Sequence, residues 1–142
     1  MSEAARPPIR AAVMTMSDLG ARGEREDTSG DRIVEFVAAL GADLVERVMI
    51  PDEREQIRQN LMRFADDMEL DLVLTTGGTG IAPRDVTPDA TASVVDYQVP
   101  GIAEAMRVMS VPPRTPTTWR DSMPYGVFCT LMTRIASAMP GT

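Results

Sequence analysis

The sequence predicts an α/β domain with three α-β-α layers, in which a mostly parallel sheet lies between two sets of helices. Short apolar runs of strand length alternate with segments in which apolar residues recur at helical spacing. Polar or glycine-containing turns follow these runs, and strands that alternate with helices favour parallel pairing through right-handed crossovers. A length of 142 residues suits a single domain, residues 1–142, with one core.

Composition and charge exclude several classes of chemistry. The net charge is −7 and all fourteen cationic side chains are arginine, so no histidine base, histidine metal ligand or Schiff-base lysine is available. An acidic chain of this kind is not expected to bind nucleic acid. The single cysteine, Cys129, cannot form an internal disulfide, and a cytoplasmic location is expected. No apolar run approaches the ~18 residues of a membrane span, so no membrane partner is expected.

The first predicted elements are a buried strand, a loop and a helix. Residues 1–8 are predicted to be a loose tail, and Ile9 to Met16 to form the first strand. The polar stretch from Leu19 to Asp27 is interpreted as a mobile loop. A helix is predicted to begin at Thr28, where hydroxyl groups can cap free backbone N–H groups. Its apolar face has the spacing i, i+3, i+4, i+7, at Ile33, Phe36, Val37 and Leu40.

A second strand and helix follow. Gly41 stands where a helix C-terminal cap is expected, and residues 42–50 are predicted to form the next strand. Asp52 is a good N-cap for the following helix, and Glu55 completes a box-like pattern three residues later. The apolar face of this helix is predicted to consist of Ile57, Leu61 and Phe64.

A glycine-rich turn follows the third predicted strand, residues 72–74. Glycine lets backbone N–H groups approach a ligand, and a helix N-terminus favours negative charge, so such a turn is suited to binding phosphate. An ordinary strand-to-helix connection would also use glycines. The next helix is predicted to begin at Thr87 or Pro88, with Ala90, Val94 and Val95 inward. The residues of the turn are Thr76, Gly77, Gly78, Thr79 and Gly80.

The last third of the chain is predicted as four segments and a final turn. Ile102 to Met109 form a helix, Val111 to Pro116 a loop, and Thr117 to Gly126 a short helix or turn. Phe128 to Met139 form the last strand, and residues 140–142 begin another turn.

Four turns are predicted to meet at one edge of the sheet. They follow the predicted strands at Ser17-Asp18, at Pro51-Asp52, at the glycine turn and at Pro140-Gly141-Thr142. Ligands of parallel sheets bind beyond the carboxyl ends of the strands. The sequence therefore predicts a binding site at this edge.

Asp52 and Asp85 are the candidate catalytic carboxylates at this edge. Two carboxylates beside phosphates require a cation, and Mg²⁺ is held by one or two carboxylates plus phosphate oxygens. The expectation is a phosphate transfer in which positioning and electrostatics supply the catalysis. Simpler interpretations stay open, with Asp52 as a helix N-cap and Asp85 as the ion-pair partner of Arg84.

The stretch TTGGTGIAPRDVTPDAT, residues 75–91, resembles the signature of the MogA/MoaB-type molybdopterin adenylyltransferase family, whose domain is also similar to part of gephyrin. The resemblance implies a molybdopterin-binding-domain-like fold and Mg²⁺-dependent transfer of AMP from ATP to molybdopterin, with release of pyrophosphate. It also implies a homotrimer and contact with the molybdenum-insertion enzyme. Asp52 and Asp85 match the family's essential acidic positions and are the candidate Mg²⁺ ligands. The candidate substrate- and nucleotide-binding residues are Ser17, Asp18, Thr28, Ser29, Gly30, Thr76, Gly77, Gly78, Thr79, Gly80, Asp89, Pro140, Gly141 and Thr142.

The resemblance thins after about Ser110. Residues 118–123 stand where the family carries a Leu-Ser-Arg-containing helix, while residues 138–142 resemble the MoaB-like ending. The family's last helix is expected to be missing after Thr142. Two other functions therefore stay open: a non-catalytic molybdopterin-binding or assembly module, and a general nucleotide-binding α/β domain with an unrelated substrate.

Overall fold

A computed structural model describes residues 7–78, 82–96, 98, 101 and 132–133. The elements are β1 (Arg10–Met16), α1 (Asp18–Ala21), α2 (Thr28–Ala39), β2 (Asp43–Ile50), α3 (Arg54–Met62), a π-helical turn (Arg63–Asp67), β3 (Leu72–Thr76), α4 (Thr87–Ala92) and β4 (Met132–Thr133). The predictions for residues 1–6, 102–131 and 134–142 lie outside the described part of the chain. None of the helices in the described part has the length and apolarity that a membrane crossing requires.

The strands form one sheet in the order β2-β1-β3-β4. β1 is central, and it pairs in parallel with β2 on one side and with β3 on the other. β4 pairs antiparallel to β3 through its two described residues. The prediction of a mostly parallel sheet is confirmed. An apolar run does not encode the direction in which a strand enters a sheet, so the antiparallel direction of β4 could not be predicted from the sequence.

Helices cover both faces of the sheet and so make the three predicted layers. Successive side chains of β1 point to opposite faces, and both sets are buried. On one face Ala12, Met14 and Met16 pack in the same core cluster as residues of α3 and α4. On the other face Ala11 and Val13 pack in a cluster with residues of α2. β1 is therefore the rigid strand from which the carboxyl edge is built.

The apolar face of α2 is narrower than its spacing predicts. Ile33 and Val37 are buried, and Gly41, with φ of 70°, ends the helix as predicted. β2 is the edge strand, so the sheet does not extend far enough on this side to cover the remaining apolar side chains of α2. The exposed apolar side chains of α2 and β2 are Phe36, Leu40, Leu44 and Val45.

The caps of the two helices after β1 differ from those predicted. Residues 18–21 form a short helix inside the predicted mobile loop, because the Ser17 hydroxyl caps it by accepting a hydrogen bond from Gly20 N at 3.1 Å. The Asp27 carboxylate, rather than a hydroxyl, caps α2 by accepting from Gly30 N at 2.9 Å. Aspartate caps a helix as well as serine does, and here it stands one residue earlier.

α3 begins without a side-chain cap, so the predicted N-cap role of Asp52 is wrong. Glu53 takes the cap position, because the Asp52 carboxylate is engaged with the turn after β1. The inward faces predicted for the helices on this side are confirmed. Ile57, Leu61, Phe64 and Ala90 are fully buried, Val94 packs on the same core, and Val95 is half-buried.

Candidate functional site

The turns after β1, β2 and β3 meet at the carboxyl edge of the sheet, as predicted. Ser17 N donates a hydrogen bond to Ile50 O at 2.9 Å, which joins the first two turns. Gly77 follows β3 with φ of 89°, and a Cβ atom there would overlap the carbonyl oxygen of Met16. Only glycine permits this approach, so the glycine turn lies directly against the end of β1.

Asp18 and Asp52 join the first two turns a second time. Asp52 N donates a hydrogen bond to Asp18 Oδ1 at 3.0 Å, and Asp18 N donates to Asp52 Oδ2 at 3.1 Å. Each carboxylate thus accepts a hydrogen bond from the backbone N–H group of the other residue. The exchange fixes the direction in which the remaining oxygen of Asp52 points.

Arg84 joins the third turn to this pair. Its Nε donates to Asp18 Oδ2 at 2.8 Å and its Nη2 donates to Asp18 Oδ1 at 3.2 Å. A guanidinium presents several donors in a fixed plane, so it can bind both oxygens of one carboxylate. The guanidinium of Arg84 binds Asp18, 66 positions earlier in the chain. The interpretation of Asp85 as the ion-pair partner of Arg84 is therefore wrong.

The two carboxylates of the pair have opposite electrostatic environments. The hydrogen bond from Arg84, and then that from the Asp52 backbone, hold the pKa of Asp18 below its ordinary value. Burial raises the pKa of Asp52, and the negative charges of Asp18 and Asp85 raise it further. Asp18 is therefore a stable anion, whereas the ionised form of Asp52 is disfavoured and would be favoured by a nearby cation.

Two side-chain oxygens, Asp52 Oδ1 and Thr87 Oγ1, lie beside Gly78. These two oxygens and Gly78 are here called the Gly78 cradle. Asp52 Oδ1 and Thr87 Oγ1 are buried, and neither has a hydrogen-bond partner among the described residues. Gly78 has φ of 57°, and a Cβ atom there would overlap Thr87 Oγ1 and lie 3.1 Å from Asp52 Oδ1. Thr87 is thus a candidate site residue, which sequence reasoning interpreted only as a helix start.

Asp85 lies in the turn that leads from the glycines to α4. Its Oδ2 accepts a hydrogen bond from Ala82 N at 3.1 Å, and its own N–H donates to Ala82 O at 2.9 Å. The side chain is close enough to Asp52 for its charge to raise the pKa of that carboxyl. The structure therefore brings the two predicted catalytic carboxylates to the same edge.

A cavity of about 240 Å³ is lined by the ends of β1 and β3 and reaches Gly77, the residue before Gly78. Of the predicted binding residues, Ser17, Thr28, Ser29, Thr76 and Gly77 line it. Sequence reasoning missed the seven further lining residues, which are Thr15, Met16, Gly20, Arg25, Glu26, Asp27 and Met49. Most of the lining side chains carry hydroxyl or charged groups, so the cavity suits a polar ligand.

Asp27 organises the wall of this cavity. Its Oδ2 accepts hydrogen bonds from Thr15 Oγ1 and from Arg47 Nη2, each at 2.9 Å. The hydrogen bond to Asp27 raises the pKa of Arg47, so this cation stays charged. A Cβ atom at Gly30 would overlap the Asp27 carboxylate, which explains why glycine stands there. The local signal for Asp27 was its position directly before the predicted start of α2.

The predicted site residues therefore fall into two adjoining groups. One group belongs to the Gly78 cradle or adjoins it, and consists of Asp18, Asp52, Gly78 and Asp85. The other group lines or adjoins the cavity, and consists of Ser17, Thr28, Ser29, Gly30, Thr76 and Gly77. Asp89 lies in the first turn of α4 and is exposed. The predicted residues Thr79, Gly80, Pro140, Gly141 and Thr142 lie outside the described residues.

The donor set at the Gly78 cradle fits Mg²⁺ only together with a ligand. In the described ranges no cluster of three or more carboxylate, thiol or imidazole groups could hold a metal. Mg²⁺ ordinarily takes one or two carboxylates and completes its shell with water and phosphate oxygens. Asp52 Oδ1 meets this requirement, because it is a buried acidic oxygen without a hydrogen-bond partner.

The fold and the edge define a ligand-binding α/β domain, with a glycine turn and paired carboxylates at the carboxyl ends of parallel strands. Residues 12–142 match the family described as the probable molybdopterin binding domain. The chain belongs to this family.

Two curated relatives are similar to most of this chain. The molybdopterin adenylyltransferase of Helicobacter pylori J99 is 39% identical over 105 residues, covering 72% of this chain and 60% of the relative. The molybdopterin adenylyltransferase of Escherichia coli K12 is 42% identical over 105 residues, covering 72% of this chain and 54% of the relative. The chain thus spans just over half the length of these relatives.

Two solved structures share the fold. The molybdopterin biosynthesis enzyme MoaB of Thermus thermophilus is 45% identical with a TM-score of 0.68, over 72% of this chain and 65% of that chain. The tungsten cofactor synthesizing protein MoaB of Pyrococcus furiosus is 37% identical with a TM-score of 0.66, over 75% and 64% of the two chains. The predicted fold class and family are confirmed.

Proposed function

We propose that this protein is a Mg²⁺-dependent molybdopterin adenylyltransferase of molybdenum cofactor biosynthesis. An oxygen of the terminal phosphate of molybdopterin attacks the α-phosphorus of ATP, and the bond to the departing pyrophosphate breaks. Adenylylated molybdopterin and pyrophosphate are the products. The observation that carries the proposal is Asp52 Oδ1, a buried carboxylate oxygen without a hydrogen-bond partner beside the glycine turn. The names of the curated relatives support the choice of reaction.

The residues around the Gly78 cradle bind and orient phosphates in this proposal. Asp52 and Asp85 hold Mg²⁺, which when bound offsets the negative charge that develops on the phosphate oxygens. Thr76, Gly77 and Gly78 supply backbone N–H groups to a phosphate, and Thr79 and Gly80 are assigned to the same role from the sequence alone. Asp18 acts as a positioning residue, because its exchange of hydrogen bonds with Asp52 fixes that carboxylate.

The cavity of about 240 Å³ receives another part of the substrates. Ser17, Thr28 and Ser29 bring hydroxyl groups that can donate and accept hydrogen bonds. Asp27 is saturated by Thr15, Arg47 and Gly30, so it shapes the wall rather than binding a ligand directly. The cavity adjoins the glycine turn through Gly77, so one substrate could extend across both.

A cytoplasmic homotrimer that contacts the molybdenum-insertion enzyme is also part of the proposal. The resemblance of residues 75–91 to the family signature supports it. Leu44 and Val45, exposed on the edge strand β2, are apolar side chains of the kind that a subunit contact buries. Light scattering on the purified protein tests the assembly, with a trimer mass expected and a stable monomer as the contradicting result.

Turnover and binding are measured on one folded preparation. With molybdopterin, ATP and Mg²⁺, adenylylated molybdopterin and pyrophosphate are expected in equal amounts. Binding of molybdopterin or ATP without product would favour the non-catalytic binding module instead. Failure to bind either ligand would overturn the proposal.

A further inference from the structure

We propose that Thr87 is an oxygen ligand, beside Asp52, for the divalent cation at the Gly78 cradle; this inference rests on the proposed function. Thr87 is 5% exposed and begins α4. Its Oγ1 and Asp52 Oδ1 are both buried atoms without a hydrogen-bond partner, and both lie next to Gly78. Asp52 lies in the turn between β2 and α3 and Thr87 begins α4, so the fold brings together two oxygens from distant parts of the chain.

Burial of these two oxygens without a partner is unfavourable for the folded protein. A buried hydroxyl or carboxylate oxygen normally has a hydrogen-bond partner, because its lost hydration is otherwise uncompensated. Here the hydroxyl does not bond to the carboxylate, although both face one position of the chain. A hydroxyl oxygen and a carboxylate oxygen are hard oxygen ligands of the kind that Mg²⁺ and Mn²⁺ prefer.

Gly78 keeps this position open. Any larger residue would place its Cβ against Thr87 Oγ1, and φ of 57° disfavours side chains in addition. The backbone of the glycine turn therefore lies close over both oxygens. A cation held there would also be next to a phosphate bound by the N–H groups of the turn.

Thr91 supplies a matched comparison. It lies one turn later in α4, is 6% exposed and also has a buried Oγ1 without a hydrogen-bond partner. The atoms nearest to the Cβ position of Gly78 belong to Thr87 and Asp52, not to Thr91. The same substitution at the two threonines thus removes the same group with the same burial, but only one of them adjoins the cradle.

The test measures Mn²⁺ binding by electron paramagnetic resonance on the full chain. The variants are Thr87→Val, which removes the hydroxyl at nearly constant volume, Thr87→Ser, which keeps it, Thr91→Val and Asp52→Asn. Thr87→Val is expected to weaken Mn²⁺ binding about tenfold, as loss of a group that supports a metal site does. Thr87→Ser and Thr91→Val are expected to bind like the unaltered protein, and Asp52→Asn to lose binding.

Thermal unfolding without metal provides a second readout. Thr87→Val is expected to be at least as stable as the unaltered protein, since the variant no longer buries an unpaired hydroxyl. A purely structural role for the hydroxyl would instead lower stability and leave Mn²⁺ affinity unchanged. If the valine variant does not fold, Thr87→Ala is compared with Thr87→Ser in the same assay.

The outcomes separate the two proposals. If Asp52→Asn loses Mn²⁺ and Thr87→Val does not, the role of Thr87 is wrong while the cation of the proposed function stands. If the unaltered protein shows no saturable Mn²⁺ binding, the cation fails and the role of Thr87 fails with it. Equal weakening by Thr87→Val and Thr91→Val would also overturn the inference, because it would reflect α4 as a whole.

Discussion

Asp18 and Asp52 exchange hydrogen bonds between their carboxylates and each other's backbone N–H groups, at 3.0 and 3.1 Å. The exchange locks the turn after β1 to the turn after β2. It also occupies one oxygen of Asp52 and leaves Oδ1 beside Gly78. A carboxylate held in this way is positioned before any ligand arrives, which favours catalysis by positioning.

Replacing Asp52 by Asn is expected to stabilise the ligand-free protein at neutral pH. Burial raises the folded-state pKa of Asp52 above the ordinary value of 3.8, so its stabilising contribution is present below that value and is lost as the pH rises through the folded pKa. The asparagine side chain does not ionise. Urea unfolding at about pH 7 should therefore show a higher free energy of unfolding for Asp52→Asn, and the difference should shrink toward about pH 4.

The control for this change is Glu53→Gln. Glu53 is the next carboxylate along the chain and is exposed, so removing its charge should change the free energy of unfolding at about pH 7 by less than about 1 kcal/mol. An Asp52→Asn protein that is less stable at neutral pH would show that the carboxylate is held favourably without a ligand. The electrostatic account of the Gly78 cradle would then be wrong.

Arg84→Gln is expected to reduce activity much more than stability. The Arg84 side chain is 68% exposed, and exposed ion pairs contribute under about 1 kcal/mol. Loss of the two hydrogen bonds from Arg84 frees Asp18 and loosens the turn that carries Asp85. Because small displacements at a reacting site lower rates by up to about a hundredfold, a loss of activity of this order is expected. Steady-state kinetics and urea unfolding on the same variant separate the two effects.

Arg58→Gln provides the comparison for Arg84. Arg58 forms a partly exposed ion pair with Glu55 within α3, at 3.4 Å. The two variants lose the same charge and a similar surface contact, so their stabilities should match. Activities that also match would contradict the role given to Arg84.

Gly77→Ala is expected to destabilise the fold more than Gly23→Ala. Both glycines have positive φ, 89° and 75°, so alanine is strained at each position by about 1–2 kcal/mol. A Cβ at Gly77 also overlaps the Met16 carbonyl, whereas nothing lies within 4 Å of a Cβ at Gly23. The difference between the two free energies of unfolding therefore measures the close approach of the glycine turn to β1. Equal losses in the free energy of unfolding for the two variants would show that the glycine turn shifts away from β1 without further loss of stability.

Asp27→Ala is expected to lower the free energy of unfolding by about 2–4 kcal/mol, as loss of a helix cap and of a mostly buried ion pair does. The matched control is Asp31→Ala, because Asp31 also pairs with Arg47, at 2.8 Å, but its side chain is 63% exposed. That variant should lose under about 1 kcal/mol. Similar losses in both variants would show that Asp27 does not organise the cavity wall.

The local patterns of the sequence predicted the order of β1, α2, β2, α3, β3 and α4, since each carries its own signal, but α1 lies in a stretch that was predicted to be loop. Ile57, Leu61 and Phe64 recur at helical spacing and are all buried, and Gly41 ends α2 where a left-handed residue is needed. The exposure of Phe36 was not predictable in this way, because it depends on where the sheet ends.

The partners within the site could not be read from the sequence. Arg84 lies beside Asp85 in the chain but binds Asp18, and that choice depends on how the first and third turns meet. Thr87 was placed correctly as the start of a helix. Its place at the Gly78 cradle emerges only once α4 packs against α3, which local patterns do not describe.

Transfer of the α-phosphate of ATP tests the central claim most directly. Folded protein is incubated with molybdopterin, Mg²⁺ and ATP radiolabelled at the α-phosphate, and the label is followed into molybdopterin. The unaltered protein and Glu53→Gln are expected to produce labelled molybdopterin, whereas Asp52→Asn should be slower by about a hundredfold or more. Absence of labelled molybdopterin with the unaltered protein, or equal transfer by Asp52→Asn, would contradict the proposed adenylyltransferase.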